Sequence, residues 1–314
     1  MEKLIVSSSP HFRSKTTTQS IMRDVLIALA PAAIASVVLF GLRALLIIAV
    51  TVTTSVLSEY LFNLATKKEQ TVKDLSAAIT GLLLALSLPA TAKVWHCIVG
   101  AVFAIIVVKC LFGGIGCNFA NPAVTARVLL FLSFSSAIGG KAATNFMSED
   151  LVSGATPLAA IKAGNVDSLP SLLDMLLGNR MGAIGEGCIL ALVIGGVYLI
   201  ARKVIKWHVP AIYIGTVFLL SFAILGDVKL ALYELLAGGL VIAAFFMITD
   251  YVTTPINTYG KMAFAFGCAL LTVVIRFWSS YPGGVSFAIL TMNILSPYIE
   301  KWCTKKPFGK VGKK

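Results

Sequence analysis

The sequence predicts an all-α polytopic membrane protein with about ten transmembrane helices, arranged as two inverted five-helix halves with broken helices and one long outer loop. Three observations predict it. The 314 residues are 58% hydrophobic and only 13% charged, with a mean hydropathy of +0.90, too few charges to cover a soluble domain of this length. Apolar runs of helical length recur along the chain; residues 25–58 carry a single charge, Arg43. The basic residues behind the net charge of +12 gather mostly in short segments between those runs and in the tail from Lys301 to Lys314, which fits membrane topology and not nucleic-acid binding.

A hydrocarbon core of roughly 30 Å requires about 20 helical residues, fewer where protein shields a broken helix. That ruler places spans near residues 22–42, 43–64, 75–89, 94–112 and 122–137 in a first half covering 22–137. A second half covering 184–300 holds spans near 184–202, 207–226, 230–249, 261–279 and 283–300. Residues 1–21 form a polar N-terminal segment. No small-residue cleavage pattern follows a short apolar core there, so the first span is read as retained and not as a signal peptide. Residues 138–183 are the long loop and 301–314 a basic tail. Eighteen Lys and Arg residues fall on the side of the termini against seven opposite, so both termini are expected in the cytoplasm and the loop on the outer face.

Five spans per half make any repeat an inverted one. Thr80-Gly81-Leu82-Leu83, ending at Pro89, is echoed by Gly238-Gly239-Leu240-Val241, ending at Thr249-Asp250. Gly113-Gly114-Ile115-Gly116 before Asn121-Pro122 is echoed by Tyr281-Pro282-Gly283-Gly284. Such interruptions free backbone groups that need partners other than lipid.

The loop contains Asp150 and Ser153-Gly154-Ala155-Thr156-Pro157. Thr156 is a good N-cap and Pro157 suits a first helical position; a phosphoryl group attached there would meet free backbone N–H groups. Arg127, Glu186, Glu234 and Asp250 are ionisable residues near membrane depth, where such groups are functional candidates. Arg127 is a candidate cofactor partner and Asp250 a candidate member of an ion path, Glu186 and Glu234 lie near enough to span ends to reach water, and an interfacial or ion-paired role is the favoured reading for each of the four. Six scattered cysteines imply no disulfide framework, and Cys110 with Cys117 is half a metal site at most. His11, His96 and His208 are isolated, so no metal is expected.

Ser153-Gly154-Ala155-Thr156 with Asp150 resembles the site at which a flavin transferase joins FMN through its phosphate to a threonine. Ser9-Pro10-His11, Thr17-Thr18 and Ile21-Met22-Arg23 resemble the entry segment of the same family. Gly113 to Ala123, Met247-Ile248-Thr249-Asp250 with Pro255, and Tyr281 to Ala288 with Asn293 and Pro297 resemble its other motifs. The chain is thereby similar, over essentially its whole length, to the RnfD family of the Rnf electron-transport complex and to its larger relative NqrB, from the sodium-pumping NADH:quinone reductase. The resemblance implies a prokaryotic inner-membrane component of a complex that oxidises ferredoxin, reduces NAD and exports Na⁺ or H⁺. Thr156 would carry covalent FMN, in the setting of Asp150, Ser153, Gly154 and Ala155. It implies a second, non-covalent flavin (riboflavin) near Asn118 and Asn121, whose amides offer both donor and acceptor, with Gly113 and Gly114 allowing close backbone approach. The G, A and E subunits of the complex are the implied partners beside the bilayer; NAD, ferredoxin and the membrane metal cluster belong to other subunits. No residue of this chain is expected to be catalytic in the usual sense. An inverted-repeat carrier for a small polar solute and a scaffold without redox function are the competing readings.

Overall fold

In the computed structural model, residues 16–138, 156–164, 169–178, 180, 182–279, 281 and 283–304 are described. Those residues are helical and contain no strand, only an isolated bridge between Pro89 and Ala183. α1 (Thr18–Phe40) starts on a capping box between Thr17 and Ser20. It ends at Gly41, whose φ of 69° turns the chain into α2 (Leu42–Ala65). α3 (Ser76–Ser87) and α4 (Val94–Cys110) follow, and then α5 (Pro122–Ser133) and a short α6 (Ser135–Ile138). The long loop contributes α7 (Pro157–Lys162) and α8 (Leu172–Leu177). The second half comprises α9 (Ile189–Ala201), α10 (His208–Leu225), α11 (Val228–Leu236), α12 (Leu240–Met247), α13 (Thr258–Trp278) and α14 (Val285–Cys303).

Each predicted span interval therefore holds a helix. Four of them, α1, α2, α10 and α13, have the length and composition to cross a membrane unaided, and α11 with α12 forms a fifth, bent by 66°. The span expected at 230–249, with its glycine interruption, is this bent pair. It breaks at Gly238, whose φ of 69° lies in the left-handed region that favours glycine. The predicted fifth span also stops early, at Ser133, before α6.

Polarity is distributed as lipid exposure demands. The buried face of α2 carries Thr51, Ser55, Ser58, Glu59 and Asn63, while Leu42, Leu45, Leu57, Leu61 and Leu64 are exposed. In water that arrangement would be unfavourable on both faces; in a bilayer the polar groups must find protein partners and the leucines meet acyl chains.

The pattern of neighbours repeats between halves. α2 packs on α3 and α4 as α10 packs on α11 and α13, and α4 meets α5 as α13 meets α14, with α1 lying along α9 between the halves. The third member of each half is broken in an equivalent way. A 3-10 turn at Val72–Asp74 and left-handed Leu75 (φ 62°) precede α3; α11 and left-handed Gly238 precede α12. A basic residue from the last turn of the fourth member is buried against each break. Lys109 Nζ lies 2.7 Å from Glu59 Oε1 and donates to Ser76 Oγ at 2.7 Å. Arg276 Nη1 donates to Glu234 Oε2 at 2.9 Å and to the Glu234 carbonyl at 2.6 Å, and Nη2 to the Ala237 carbonyl at 3.1 Å. By position at the ends of apolar runs, Lys109 and Arg276 count among the charges of the two membrane faces. Their placement in the interior corrects that reading.

Candidate functional site

Two clefts open at opposite ends of α3. One is lined by the end of α3 (Leu86, Ser87), by Arg127 and Phe131 of α5, by Gly238 and Gly239 at the break before α12, and by Thr156. The other is lined by the start of α3 (Ser76, Thr80), by Asn118 and Asn121, by Lys109, and by Thr249 and Asp250 just after α12. The start of α12 thus faces the cleft that receives the end of α3, and its end faces the cleft that receives the start of α3, so the two broken helices run in opposite directions.

Local sequence explains how Thr156 reaches its cleft. Its Oγ1 accepts from the Ala159 N–H at 3.3 Å and Pro157 occupies the first helical position, so α7 starts at this residue. α7 is pinned at both ends. Leu158 packs with Met175, Tyr233 and Ala237 in a small core between the loop and α11, and lies where a Cβ on Gly238 would be 2.8 Å from its Cδ1. Lys162 Nζ donates to the Arg276 carbonyl at 3.1 Å and to that of Ser279, satisfying carbonyls at the end of α13. Tyr233 Oη donates to the Pro170 carbonyl at 2.8 Å, tying down the segment before α8.

The rest of the Thr156 cleft combines apolar surface with charge. It encloses about 1150 Å³ of empty space, open mouth included. Phe131 and Phe287 stand on its wall with ring centroids 5.9 Å apart, and the Arg127 guanidinium lies 5.6 Å over Phe131, the i, i+4 neighbour on the same helix face. Arg127 Nη1 is buried with no hydrogen-bond partner among the described residues. Glu186 shares the cleft and is felt electrostatically by Arg127 and Arg180, without a direct ion pair to either. Arg180 donates to the Glu186 carbonyl at 2.8 Å; burial lowers its pKa from the ordinary guanidinium value, with Glu186 opposing.

In the second cleft, Asn121 caps α5. Its Oδ1 accepts from the N–H groups of Ala123 and Val124 at 3.1 and 3.3 Å, and its Nδ2 donates to Asp250 Oδ2 at 3.4 Å. Asn118 Oδ1 is buried and has no partner among the described residues. Gly113 and Gly114, with φ of 118° and 92°, shape the loop leading to this cleft but do not line it.

The structure therefore unites Thr156, Arg127 and Glu186 in one cleft and Asn118, Asn121 and Asp250 in the other. Asp150, Ser153, Gly154 and Ala155 lie outside the described residues. Glu234, expected near a span end, is buried at 4% exposure and paired with Arg276. Sequence reasoning missed Glu59 and the aromatic wall of Phe131 and Phe287. The helical spacing of the polar residues on α2 was the available signal for the first, and the i, i+4 spacing of Arg127 and Phe131 for part of the second. Among the described residues no group of three His, Cys, Asp or Glu side chains is placed to hold a metal ion.

The family described as NQR2, RnfD, RnfE matches residues 5–309. The chain is 43% identical over 309 residues to the D subunit of the Na⁺-translocating ferredoxin:NAD⁺ oxidoreductase complex of Acetobacterium woodii, covering 98% of this chain and 95% of the relative. It is 38% identical over 316 residues to the D subunit of the proton-translocating ferredoxin:NAD⁺ oxidoreductase complex of Clostridium ljungdahlii, covering 97% and 96%. The D subunit of the ion-translocating oxidoreductase complex of Halorhodospira halophila is 34% identical over 338 residues, covering 96% and 95%.

Proposed function

The chain belongs to the NQR2, RnfD, RnfE family, and from that membership we propose that it relays electrons, as the D subunit of an ion-translocating ferredoxin:NAD⁺ oxidoreductase complex, through FMN held as a phosphoester on Thr156. The observation that carries this reading is the position of Thr156 on a cleft with two phenylalanine rings, the Arg127 guanidinium, whose Nη1 has no partner among the described residues, and side-chain-free walls at Gly238, Gly239 and Gly283. Those features fit a flat, polar-edged ring system. FMN bound there supplies one- and two-electron carriage. The chain contributes attachment through Thr156, a fixed approach through the pinned α7, and apolar walls that restrict water.

The Asn121 cleft suits a second, non-covalent flavin, riboflavin. Its unpaired Asn118 carbonyl is an acceptor for a ring N–H, and Lys109 and the Asn121 amide supply donors. Asn121 and Arg127 are six residues apart on α5, about 9 Å of helical rise, which would set the two rings within short reach of each other. In this reading the protein sits in the prokaryotic inner membrane with cytoplasmic termini and the Thr156 cleft on the outer side, among the G, A and E subunits.

Denaturing gel fluorescence and intact mass test the covalent bond. Chain made with its flavin transferase should fluoresce under ultraviolet light and carry the mass of FMN less one water, and Thr156→Ala should abolish both. A colourless wild-type chain would refute the attachment and leave the clefts to a small polar solute or to assembly alone.

A further inference from the structure

Three arginines stand at or beside the Thr156 cleft, Arg127 in its lining, Arg180 on the carbonyl of Glu186 and Arg276 next to Gly238, and their circumstances differ. Arg276 spends both terminal nitrogens on Glu234 and Ala237. Arg180 places Nη2 on the Glu186 carbonyl and Nη1 against Met175 Sδ at 3.5 Å. Arg180 and Arg276 each leave only Nε buried without a partner, whereas Arg127, which lines the Thr156 cleft, leaves a terminal nitrogen, Nη1, unpartnered among the described residues. A guanidinium N–H left without an acceptor away from water is costly, more so at membrane depth. Glu186, the carboxylate that shares the cleft, forms no direct ion pair with it and instead lies within hydrogen-bond range of the Ala183 N–H at 3.4 Å.

We propose that Arg127 is the positioning residue for the flavin ring in this cleft, its guanidinium donating to the N1–C2 carbonyl edge of the pyrimidine portion, an inference that rests on the Thr156 attachment proposed above. That edge gathers negative charge when the ring is reduced and is neutral when it is oxidised. A fixed cation with a planar donor fork therefore binds the reduced ring more tightly, and unequal affinity for two states shifts the equilibrium between them. Arg127 raises the reduction potential of this flavin, and the Glu186 carboxylate, placed in the same cleft, lowers it. The Phe131 ring centroid lies 5.6 Å from the guanidinium carbon.

The test is spectroelectrochemical titration of the purified complex, with the Thr156 flavin isolated as the difference between wild type and Thr156→Ala. Arg127→Gln should weaken the preference for the reduced ring at least tenfold, a fall of about 30 mV for a two-electron couple, while the fluorescent band is retained. Arg127→Lys, which keeps the charge and loses the fork, should give a smaller fall, and Glu186→Gln should give a rise. A merely structural role for Arg127 predicts no such opposite signs. An unchanged potential in Arg127→Gln with the band intact overturns the inference, as does an Arg127 variant that assembles but carries no band. If Arg127→Gln does not assemble, the Lys variant decides, and an unchanged potential there also overturns it. Absence of the band from the wild type instead refutes the attachment reading, and the inference falls with it.

Discussion

The two halves meet the same physical problem and answer it with different chemistry. Each has a helix broken at depth, and the freed groups must be satisfied by protein. In the first half the break is a single 3-10 turn, and Lys109 reaches only side chains. Glu59 accepts from Lys109 and from Thr71, Asn63 donates in turn to Thr71, and Ser76 accepts from Lys109. In the second half the break follows a two-turn helix whose last carbonyls point into the gap. Arg276 takes one carboxylate oxygen and two of those carbonyls together, for which a planar fork is suited and a point charge is not. Where a break exposes carbonyls, guanidinium is required; where side chains line it, an ammonium suffices.

The largest expected effect breaks either pair outright. Glu59→Leu or Glu234→Leu strands a buried cation and should cost about 3–5 kcal/mol, read as a lowered thermal transition of the detergent-solubilised chain. Lys109→Met combined with Glu59→Leu should recover much of that loss. Single variants no worse than the double would show that pairing is not what holds the break.

Arg276→Lys sharpens the contrast. It retains the charge but forfeits carbonyl bonds, leaving buried acceptors open at about 1–3 kcal/mol. Equal stability of the Lys variant would erase the distinction between fork and point charge.

Next come the left-handed residues. Gly238→Ala places a Cβ 2.8 Å from Leu158 and 3.3 Å from Arg276 Nη2 at a φ of 69°, and the backbone conformation alone costs about 1–2 kcal/mol. Leu75→Gly relieves the same strain in the first half and should be close to neutral by the same thermal assay. Smallest is Arg202→Gln, which removes an ion pair to Asp24 whose arginine is 56% exposed; such pairs contribute about 0–1 kcal/mol.

Much of the framework is legible in the sequence because helix length and capping are local. The Asn121-Pro122 and Thr156-Pro157 starts are where their cap chemistry puts them, and each apolar interval holds a helix. The break at Gly238 is visible as a glycine pair, but the 66° bend is not, since apolar composition continues unbroken through it. Lys109 and Arg276 escape a sequence reading because a charge at the end of an apolar run looks the same whether it faces water or a carboxylate from another helix. Only the long-range partner decides, fifty residues away for Lys109 and forty-two for Arg276. The grouping of Arg127 with Thr156 across the loop is likewise a matter of tertiary packing, though the ionisable character of Arg127 in an apolar run marks it in advance.

The opposed directions of α3 and α12 have an electrical consequence. Each cleft receives the start of one half-helix and the end of the other, so the positive macrodipole end of one is offset by the negative end of its counterpart. These two half-helices together supply little net field between the two cavities, while the starts of α5 at one cleft and of α7 and α14 at the other add dipole ends of their own. A downhill direction for a charge crossing from one to the other is therefore set by those remaining helix starts and by side chains.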